Sequence, residues 1–217
     1  MSRHKNNSRG GQGAVQEALE SLRSAISSGQ LRPNQQVVES EIARKLGMSR
    51  TPVRDAIRQL EILGYLTRLP NRRIVVSHIT SRKLRDYYEI REALETMAIR
   101  LVCQRASKEQ IDRIVRCNMR VNKVIEARDP STSHDVNMDF HKQLIVASGN
   151  KELWSQIEKY YWFSSHITYT FTLRDWRALQ REHTNIVDAV CQRNETKAVN
   201  AVRKHVRTAV GFAVRHI

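Results

Sequence analysis

Apolar residues recur at helical spacing near the start of the chain and leave a single apolar stripe between residues 14 and 28. The stripe consists of Val15, Ala18, Leu19, Leu22 and Ile26. This spacing predicts an amphipathic helix, which Gly29 ends. The Gly, Pro and Asn residues of segment 29–34 predict a turn, and Val37–Val38 predicts a short strand after it.

The next pattern predicts two helices joined by a tight turn. The first helix spans about residues 40–46, with Ile42 and Leu46 facing inward, and Gly47 closes it because glycine accepts a positive φ. Ser49 is predicted to cap the second helix, and Pro52 falls in its first turn, where a missing N–H is tolerated. The buried stripe of the second helix is Val53, Ile57, Leu60 and Leu63, with Gly64 at its end. This order predicts a helix-turn-helix.

Two short β-strands are predicted directly after these helices, over residues 65–69 and 74–77. Pro70–Asn71 forms the turn between them, and Arg72 and Arg73 lie at its end. A hairpin in this position is the wing of a winged helix-turn-helix.

From residue 81 onward every pattern is helical. The predicted helices span 81–105, 108–127, 134–148, 151–170, 176–193 and 196–216. Ser107 and Gln110 have the spacing of a capping box. The fold class is therefore mainly α, with a winged helix-turn-helix over 14–78 and an all-α bundle of about six helices over 79–217. Residues 1–13 are polar and predict a flexible basic arm, either unordered or touching DNA.

The charge indicates the kind of partner. The chain carries a net charge of +15, and its sequence pI is about 10.3. Residues 1–78 hold 13 Lys and Arg against 6 Asp and Glu, and the remainder holds 24 against 16. A charge this large predicts a polyanionic partner. The chain start has no apolar secretory segment, no stretch is long enough to span a membrane, and Cys103, Cys117 and Cys191 are predicted to be isolated buried thiols, so we expect a cytoplasmic protein.

The first turn of the second helix carries the residues expected to contact DNA. Arg50, Thr51 and Arg54 point away from the apolar stripe, and this part of a recognition helix reaches base edges in the major groove. Arginine can bond both O6 and N7 of guanine, whereas Lys45, Ser49 and Thr51 are placed for phosphates. Any single arginine could be an ordinary solvated residue. Cap, turn, basic first turn and basic wing together predict DNA reading.

The segment from Glu39 to Glu61, ESEIARKLGMSRTPVRDAIRQLE, resembles the GntR family of bacterial transcription regulators. The resemblance implies that Arg50 and Arg54 read bases and that wing residues, here Arg72 and Arg73, enter the minor groove. The chain departs from the family at two positions. The family often has Pro-Gly at Pro33–Asn34, and it has a glycine in the wing at Arg73, so the wing here is more basic.

Three histidines lie on the inward stripes of three different predicted helices: His141, His183 and His205. A single histidine on an apolar face is most often part of the core. Three on separate helices of one bundle also fit a metal site, since imidazole is a common ligand and bundle cores gather ligands from facing helices. Asn137 precedes His141 by four residues and points the same way. The predicted ligand set is therefore Asn137, His141, His183 and His205.

Arg91 lies on the inward stripe of the helix that starts at residue 81. A buried guanidinium needs a partner, because an unpaired buried charge is very costly. Two readings stay open. Arg91 forms a structural ion pair with Glu95 or another carboxylate, or it binds the carboxylate of a small acid.

The second half of the chain resembles the FCD domain, the helical ligand-binding domain of FadR-type GntR regulators. The resemblance rests on Tyr88–Glu95, Asp139–His141, Ser148–Asn150, Glu182–His183 and Ala198–His205. It implies a divalent metal, zinc, nickel or manganese, held by one Asp or Asn and three histidines at the four positions above. Asp is the commoner first ligand, so Asn137 supplies one negative charge fewer. The helix count places the chain in the VanR-like subgroup, and the family implies dimer contacts through this domain.

These patterns predict a metabolite-responsive repressor that acts as a homodimer, binds operator DNA and responds to a small organic acid. Tyr160, Tyr161 and Trp162 form an aromatic run that belongs to the core or lines the effector pocket. One alternative is a three-histidine metalloenzyme, which the absence of HExxH and of a well-placed base disfavours; Glu182 is expected on a different helix face from His183. Another alternative is a metal-free DNA-binding protein without an effector.

Overall fold

A computed structural model describes residues 7–128, 130–168 and 170–217. Within these ranges, only the backbone is described for residues 7–11, 130–132, 134 and 162–166. The chain divides into two compact units, one up to Ile79 and one from Thr80 to Ile217. This boundary falls one residue after the predicted one. The first unit contains α1 (Asn7–Ser27), α2 (Glu39–Leu46), α3 (Arg50–Ile62), β1 (Leu66–Arg68) and β2 (Ile74–Val76).

The start of α1 corrects one prediction. The flexible arm was expected to reach residue 13, but the helix begins at Asn7, so residues 7–13 are helical. Extending an existing helix needs no new nucleus, and the stripe from Ala18 to Ile26 anchors α1 against α3. Residues 1–6, with the remainder of the predicted arm, lie outside the described residues.

The turn between α2 and α3 positions the recognition helix. Gly47 takes φ +64 and ends α2, as predicted, and the N–H of Met48 donates to the carbonyl of Ala43 at 2.9 Å. Ser49 occupies the N-cap position of α3 with extended backbone, but its side chain forms no capping hydrogen bond. The predicted side-chain cap is therefore wrong, and the Ser49 side chain is exposed.

The wing is a two-stranded antiparallel sheet in the register Leu66 to Val76, Thr67 to Val75 and Arg68 to Ile74. The strand expected at Val37–Val38 is reduced to one isolated bridge, between Gln36 and Val75. At the hairpin tip, Arg72 has φ +63, and its N–H donates to the carbonyl of Leu69. The left-handed position lies one residue before Arg73, where the family glycine was expected.

The second unit is a bundle built, in its described part, from the six predicted helices. They are α4 (Ser81–Arg105), α5 (Lys108–Glu126), α6 (Pro130–Ala147), α7 (Lys151–Thr168), α8 (Leu173–Cys191) and α9 (Glu195–Arg215). The predicted capping box at Ser107 and Gln110 is confirmed. A second one, between Thr172 and Asp175, starts α8 three residues before its predicted start.

The bundle core is organised around α4, which packs against α9, while α5 packs against α6 and α8. Cys103 and Cys117 are buried as predicted, but Cys191 is exposed, because it ends α8 on the solvent side. Among the helices described, none is both long and apolar enough to cross a membrane.

Candidate functional site

The first candidate site is the exposed basic face formed by the end of α2, the start of α3 and the wing tip. All seven residues predicted to contact DNA are exposed there: Lys45, Ser49, Arg50, Thr51, Arg54, Arg72 and Arg73. The opposite face of α3 is buried through Val53, Ala56, Ile57 and Leu60. The apolar stripe of α3 thus leaves Arg50 and Arg54 facing solvent, as a recognition helix requires.

Arg54 has a partner that the sequence reading missed. Its Nε donates to Glu39 Oε2 at 3.1 Å, across the helix-turn-helix. Glu39 opens α2 and is half-buried, so it limits the positions that the Arg54 guanidinium can take. The separation of 15 residues left no local signal for this pair. Glu39 is therefore a positioning residue for Arg54.

The second candidate site is a cluster of three histidines buried in the helical unit. His141 lies on α6, His183 on α8 and His205 on α9. One candidate ligand atom from each ring lies within 4.8 Å of the other two, and all three rings are buried. The ring centroids lie 4.5 Å apart for His183 and His205, and 5.1 and 5.2 Å from His141 to these two rings. The three predicted histidines are thus brought together.

The hydrogen bonds around His183 determine which ring nitrogen is available. Gln180 Nε2 donates to Asn118 Oδ1 at 2.9 Å, so the amide oxygen of Gln180 faces the other way. That oxygen lies 3.2 Å from His183 Nδ1, which must then carry the proton and donate. Within the described parts of the chain, the buried Nε2 of His183 has no hydrogen-bond partner and keeps a free lone pair.

Carboxylate oxygens lie near the other two rings, at distances longer than a hydrogen bond. His141 Nδ1 lies 3.8 Å from Glu95 Oε2, and His205 Nδ1 lies 3.7 Å from Glu182 Oε2. An acceptor beside one ring nitrogen is what metal-ligating histidines commonly have, because it orients the ring and leaves the other nitrogen to the ion. Glu182 was expected on a different helix face from His183, and it nevertheless lies beside the cluster because α9 brings His205 to it.

Asn137 is the fourth predicted ligand. Its Oδ1 is buried and, among the described residues, has no hydrogen-bond partner. Asn137 lines the same cavity as His141 and His205. An unsatisfied buried carbonyl oxygen is costly, so its position beside the imidazoles fits a ligand of a hard or borderline cation.

Burial keeps the imidazoles of His141 and His183 neutral. It is the main cause that lowers the pKa of His141 well below its ordinary value, and the neighbouring His183, His205 and Arg91 lower it further. Burial likewise lowers the pKa of His183, with His205 and Arg91 adding to the effect. Neutral imidazole is the form that ligates metals, so these donors fit a divalent cation.

Arg91 lies beside this cluster, buried to 3% exposure, and forms the ion pair that the sequence reading left open. Its Nη2 and Nε lie 2.9 and 3.0 Å from Glu95 Oε1, and the Tyr161 ring centroid lies 4.3 Å from the guanidinium carbon. Burial acts to lower the pKa of Arg91, but Glu95 and the neighbouring tyrosines outweigh it and raise the pKa. Glu95 therefore links the guanidinium to His141.

The cavity between these groups is small. It has a free volume of about 20 Å³ and is bounded by Tyr88, Arg91, Asn137, His141, Tyr161, Thr168 and His205, together with apolar side chains. Tyr161 is buried in the core and also lines the cavity, so both interpretations of the aromatic run apply to it. The Trp162 side chain lies outside the described residues. A cavity this size holds an ion or a water molecule rather than an organic acid.

A winged helix-turn-helix followed by a helical bundle with a buried polar site defines a DNA-binding regulator with a separate sensing domain. Residues 14–76 match the model of the gntR family of bacterial regulatory proteins, and residues 86–208 match the FCD domain. The chain therefore belongs to the GntR family, among the members that carry an FCD domain.

Similar proteins agree with this assignment. The chain is 30% identical over 181 residues to the Nta operon transcriptional regulator of Aminobacter aminovorans, covering 81% of this chain and 83% of that protein. It is 23% identical over 204 residues to the transcriptional repressor RspR of Escherichia coli, covering 93% and 89%. The structure of E. coli McbR/YncC has the same fold, with a TM-score of 0.83 at 20% identity, covering 93% and 97%.

The chain is thus a DNA-binding transcription regulator and not an enzyme, because its family and its relatives are regulators. The GntR domain implies binding to operator DNA, and the FCD domain implies binding of an effector. Some FCD domains bind metals, and the histidine cluster is the part of this domain able to do so.

Proposed function

We propose that this chain is a cytoplasmic, homodimeric repressor whose helical unit holds a divalent metal. The repressor releases operator DNA when a small organic acid binds to that unit. The observation that carries the proposal is the cluster of three buried imidazoles, whose candidate ligand atoms lie within 4.8 Å of one another. The buried Asn137 Oδ1, without a hydrogen-bond partner among the described residues, lines the same cavity as two of these rings and favours a bound cation over a plain core.

The metal ligands in this proposal are Asn137, His141, His183 and His205. Glu95, Gln180 and Glu182 orient the three rings from outside. Zinc, nickel and manganese are the candidate ions, since imidazole and amide oxygen suit each of them. Bound there, the ion supplies positive charge next to Arg91, which favours an anionic effector.

An acid that enters this cavity competes with Glu95 for Arg91. Because the free volume is about 20 Å³, the effector needs side chains around the cavity to move. That requirement gives the acid unequal affinities for two arrangements of the bundle, and only unequal affinities shift an equilibrium. In the proposed response, the acid increases the fraction of dimers whose two DNA-reading faces do not match the spacing of the half-sites.

Dimerisation follows from how such faces read DNA, since paired helix-turn-helix units contact half-sites about 34 Å apart. The proposed contact is the exposed face of α4, where Ile90, Ala93 and Met97 lie one helical turn apart. Ile90 and Met97 are 40% and 47% exposed. Glu89 and Arg100 on the same helix provide charges of both signs, as a self-complementary surface needs.

The proposal that the chain is a repressor rests on its relatives, one of which is named a transcriptional repressor. The cytoplasm is where its operator lies. The subgroup assignment to VanR-like regulators stays a prediction from the helix count.

A thermal-shift screen tests the effector proposal. Sugar acids, dicarboxylates and aromatic acids are added to the chain with and without zinc, nickel or manganese. We expect at least one acid class to raise Tm only in the presence of metal. The variant Arg91→Lys, which keeps the charge beside Glu95 but loses the planar fork, should keep metal binding and lose most of that shift. No shift with any acid would favour a DNA-binding protein without an effector.

Light scattering tests the dimer surface. Met97→Glu places a charge on the proposed contact and should give a monomer. Val146→Glu, at a residue of similar exposure on α6, should leave the dimer intact. If wild type is a monomer, or if both variants remain dimers, α4 is not the contact.

A further inference from the structure

A second groove in the helical unit lies between α5 and α6, away from the histidine cluster. It encloses about 500 Å³ and is lined by Arg113, Arg116, Arg120 and Lys123 of α5, opposite Asp139 and Gln143 of α6. Ligand pockets span roughly 300–1,000 Å³, so its size is that of a small-molecule site. Its lining carries four cations and one carboxylate.

The four cations share one face of α5. Their spacing of three, four and three residues confines them to about an 80° arc, at 100° per residue, over about 15 Å of helix. The opposite side of the helix is buried through Ile114, Asn118, Val121 and Ile125. Like charges at these spacings repel each other. An anion in the groove relieves that repulsion.

Asp139 neutralises only Arg120. One of its oxygens accepts from Gln143 Nε2 at 3.2 Å, and the other accepts from Arg120 and from the Cys117 thiol. These contacts hold Arg120 beside Asp139 on the groove wall.

The other three cations form no ion pair within the part of the chain that the structure describes. Glu109, one turn before Arg113, accepts a hydrogen bond from the Ser107 hydroxyl at 2.7 Å. It interacts with Arg113 electrostatically but forms no described ion pair with it. The groove between α4 and α9 differs, because Arg203 and Arg207 both pair there with Glu92, at 3.8 and 2.9 Å. The α5–α6 groove thus holds three cations without an ion pair among the described residues, against one, Arg85, in the α4–α9 groove.

We propose that this groove binds a small polyanion with two or more adjacent phosphate groups. Arginine forks match phosphate oxygens, and three converging positive charges require a compact ligand of charge about −3 or more. Cations spread over about 15 Å of one helix suit such a ligand better than a DNA duplex, which presents phosphates on a broad convex surface. Exposed Met119 at the rim offers an apolar contact for the remainder of the ligand.

Calorimetric titration of the full, metal-free chain with sodium tripolyphosphate tests this proposal. Wild type should bind one equivalent with a Kd below about 1 mM. The charge-reversal pair Arg116→Glu and Lys123→Glu should weaken binding at least tenfold. The matched pair Arg181→Glu and Lys197→Glu changes the net charge equally at exposed positions of α8 and α9, and should bind as wild type does.

The other outcomes overturn the proposal. Equal weakening in both pairs would show general attraction by net charge, and equal binding of citrate would show a site without preference for phosphate. A loss of duplex DNA binding in the α5 pair, with tripolyphosphate binding unchanged, would make the groove a DNA contact. If the reversal pair does not fold, Arg116→Gln gives the same test with a smaller expected loss of about threefold. Metal removal leaves these results independent of the histidine cluster.

Discussion

Both units carry a similar positive excess, 13 basic against 6 acidic side chains in residues 1–78 and 24 against 16 in the remainder. In the first unit the arginines of the proposed DNA-contacting face are exposed, and among the described residues Glu39 is the carboxylate that pairs with one of them, Arg54. In the second unit Arg91 is buried and contacts Glu95, which faces His141. A surface site can therefore lose one residue with little cost to folding, whereas the buried site combines stability and function.

The largest expected effect follows from this contrast. Arg91→Ala leaves Glu95 as an unpaired buried charge and should destabilise the helical unit by about 3–5 kcal/mol. Arg50→Ala, on the exposed face, should change stability by no more than about 0.5 kcal/mol. Urea unfolding measures both.

The double variant Arg91→Met with Glu95→Met tests whether the loss of stability comes from the unpaired charge. It removes both charges and should recover most of the lost free energy of unfolding. Similar small losses for Arg91→Ala and Arg50→Ala would contradict the contrast between the units.

Glu182→Gln should weaken metal binding roughly 10–100-fold, because the carboxylate orients His205 and makes the ring a better ligand. Glu152→Gln, at an exposed position of α7, should have no effect. Competition with a chromophoric chelator measures both affinities. Unchanged affinity in Glu182→Gln would remove Glu182 from the site.

Arg54→Ala should cost about 1–3 kcal/mol of operator binding and relax preference at the base it reads. Arg32→Ala removes the same charge from an exposed turn and should weaken binding to all sequences alike. Fluorescence anisotropy at fixed salt, with an operator selected in vitro and a scrambled duplex, distinguishes the two. Equal preference for the operator in wild type and Arg54→Ala would refute the recognition-helix assignment.

The smallest expected effect concerns the wing tip. Arg72→Gly relieves a left-handed backbone position and should stabilise the first unit by about 0.5 kcal/mol, after the greater freedom of glycine in the unfolded chain is counted. Arg73→Gly gives no such relief and should be neutral or destabilising. Both should weaken DNA binding, since each removes a cation. A greater stability gain in Arg73→Gly would place the strained residue there instead.

The sequence allowed the exposure of Arg50, Thr51 and Arg54 to be predicted, because helical spacing decides which α3 side chains face solvent; their contact with DNA stays a prediction. It also placed the three histidines on inward stripes, since burial follows the same periodicity. The acceptors were harder to foresee. Gln180 lies three residues before His183, so this contact had a local signal, as did the pair of Glu95 with Arg91, four residues apart. Glu182 lies near His205 only because α8 and α9 pack together.

Local chemistry also explains the boundary errors. Asn7 to Gly13 includes three glycines, so its composition indicates coil, yet it continues a helix already fixed by packing. The start of α8 at Leu173 could have been found, because Thr172 and Asp175 have capping-box spacing. The pair of Glu39 with Arg54 could not, since it depends on the angle between two helices.

Metal titration of the full chain tests the central claim most directly. Isothermal titration with zinc, nickel and manganese, supported by elemental analysis, should show one ion per wild-type chain. His183→Ala should abolish stoichiometric binding, while His78→Ala, at an exposed histidine outside the cluster, should bind as wild type does. Absence of stoichiometric metal in wild type, or undiminished binding in His183→Ala, would contradict the account.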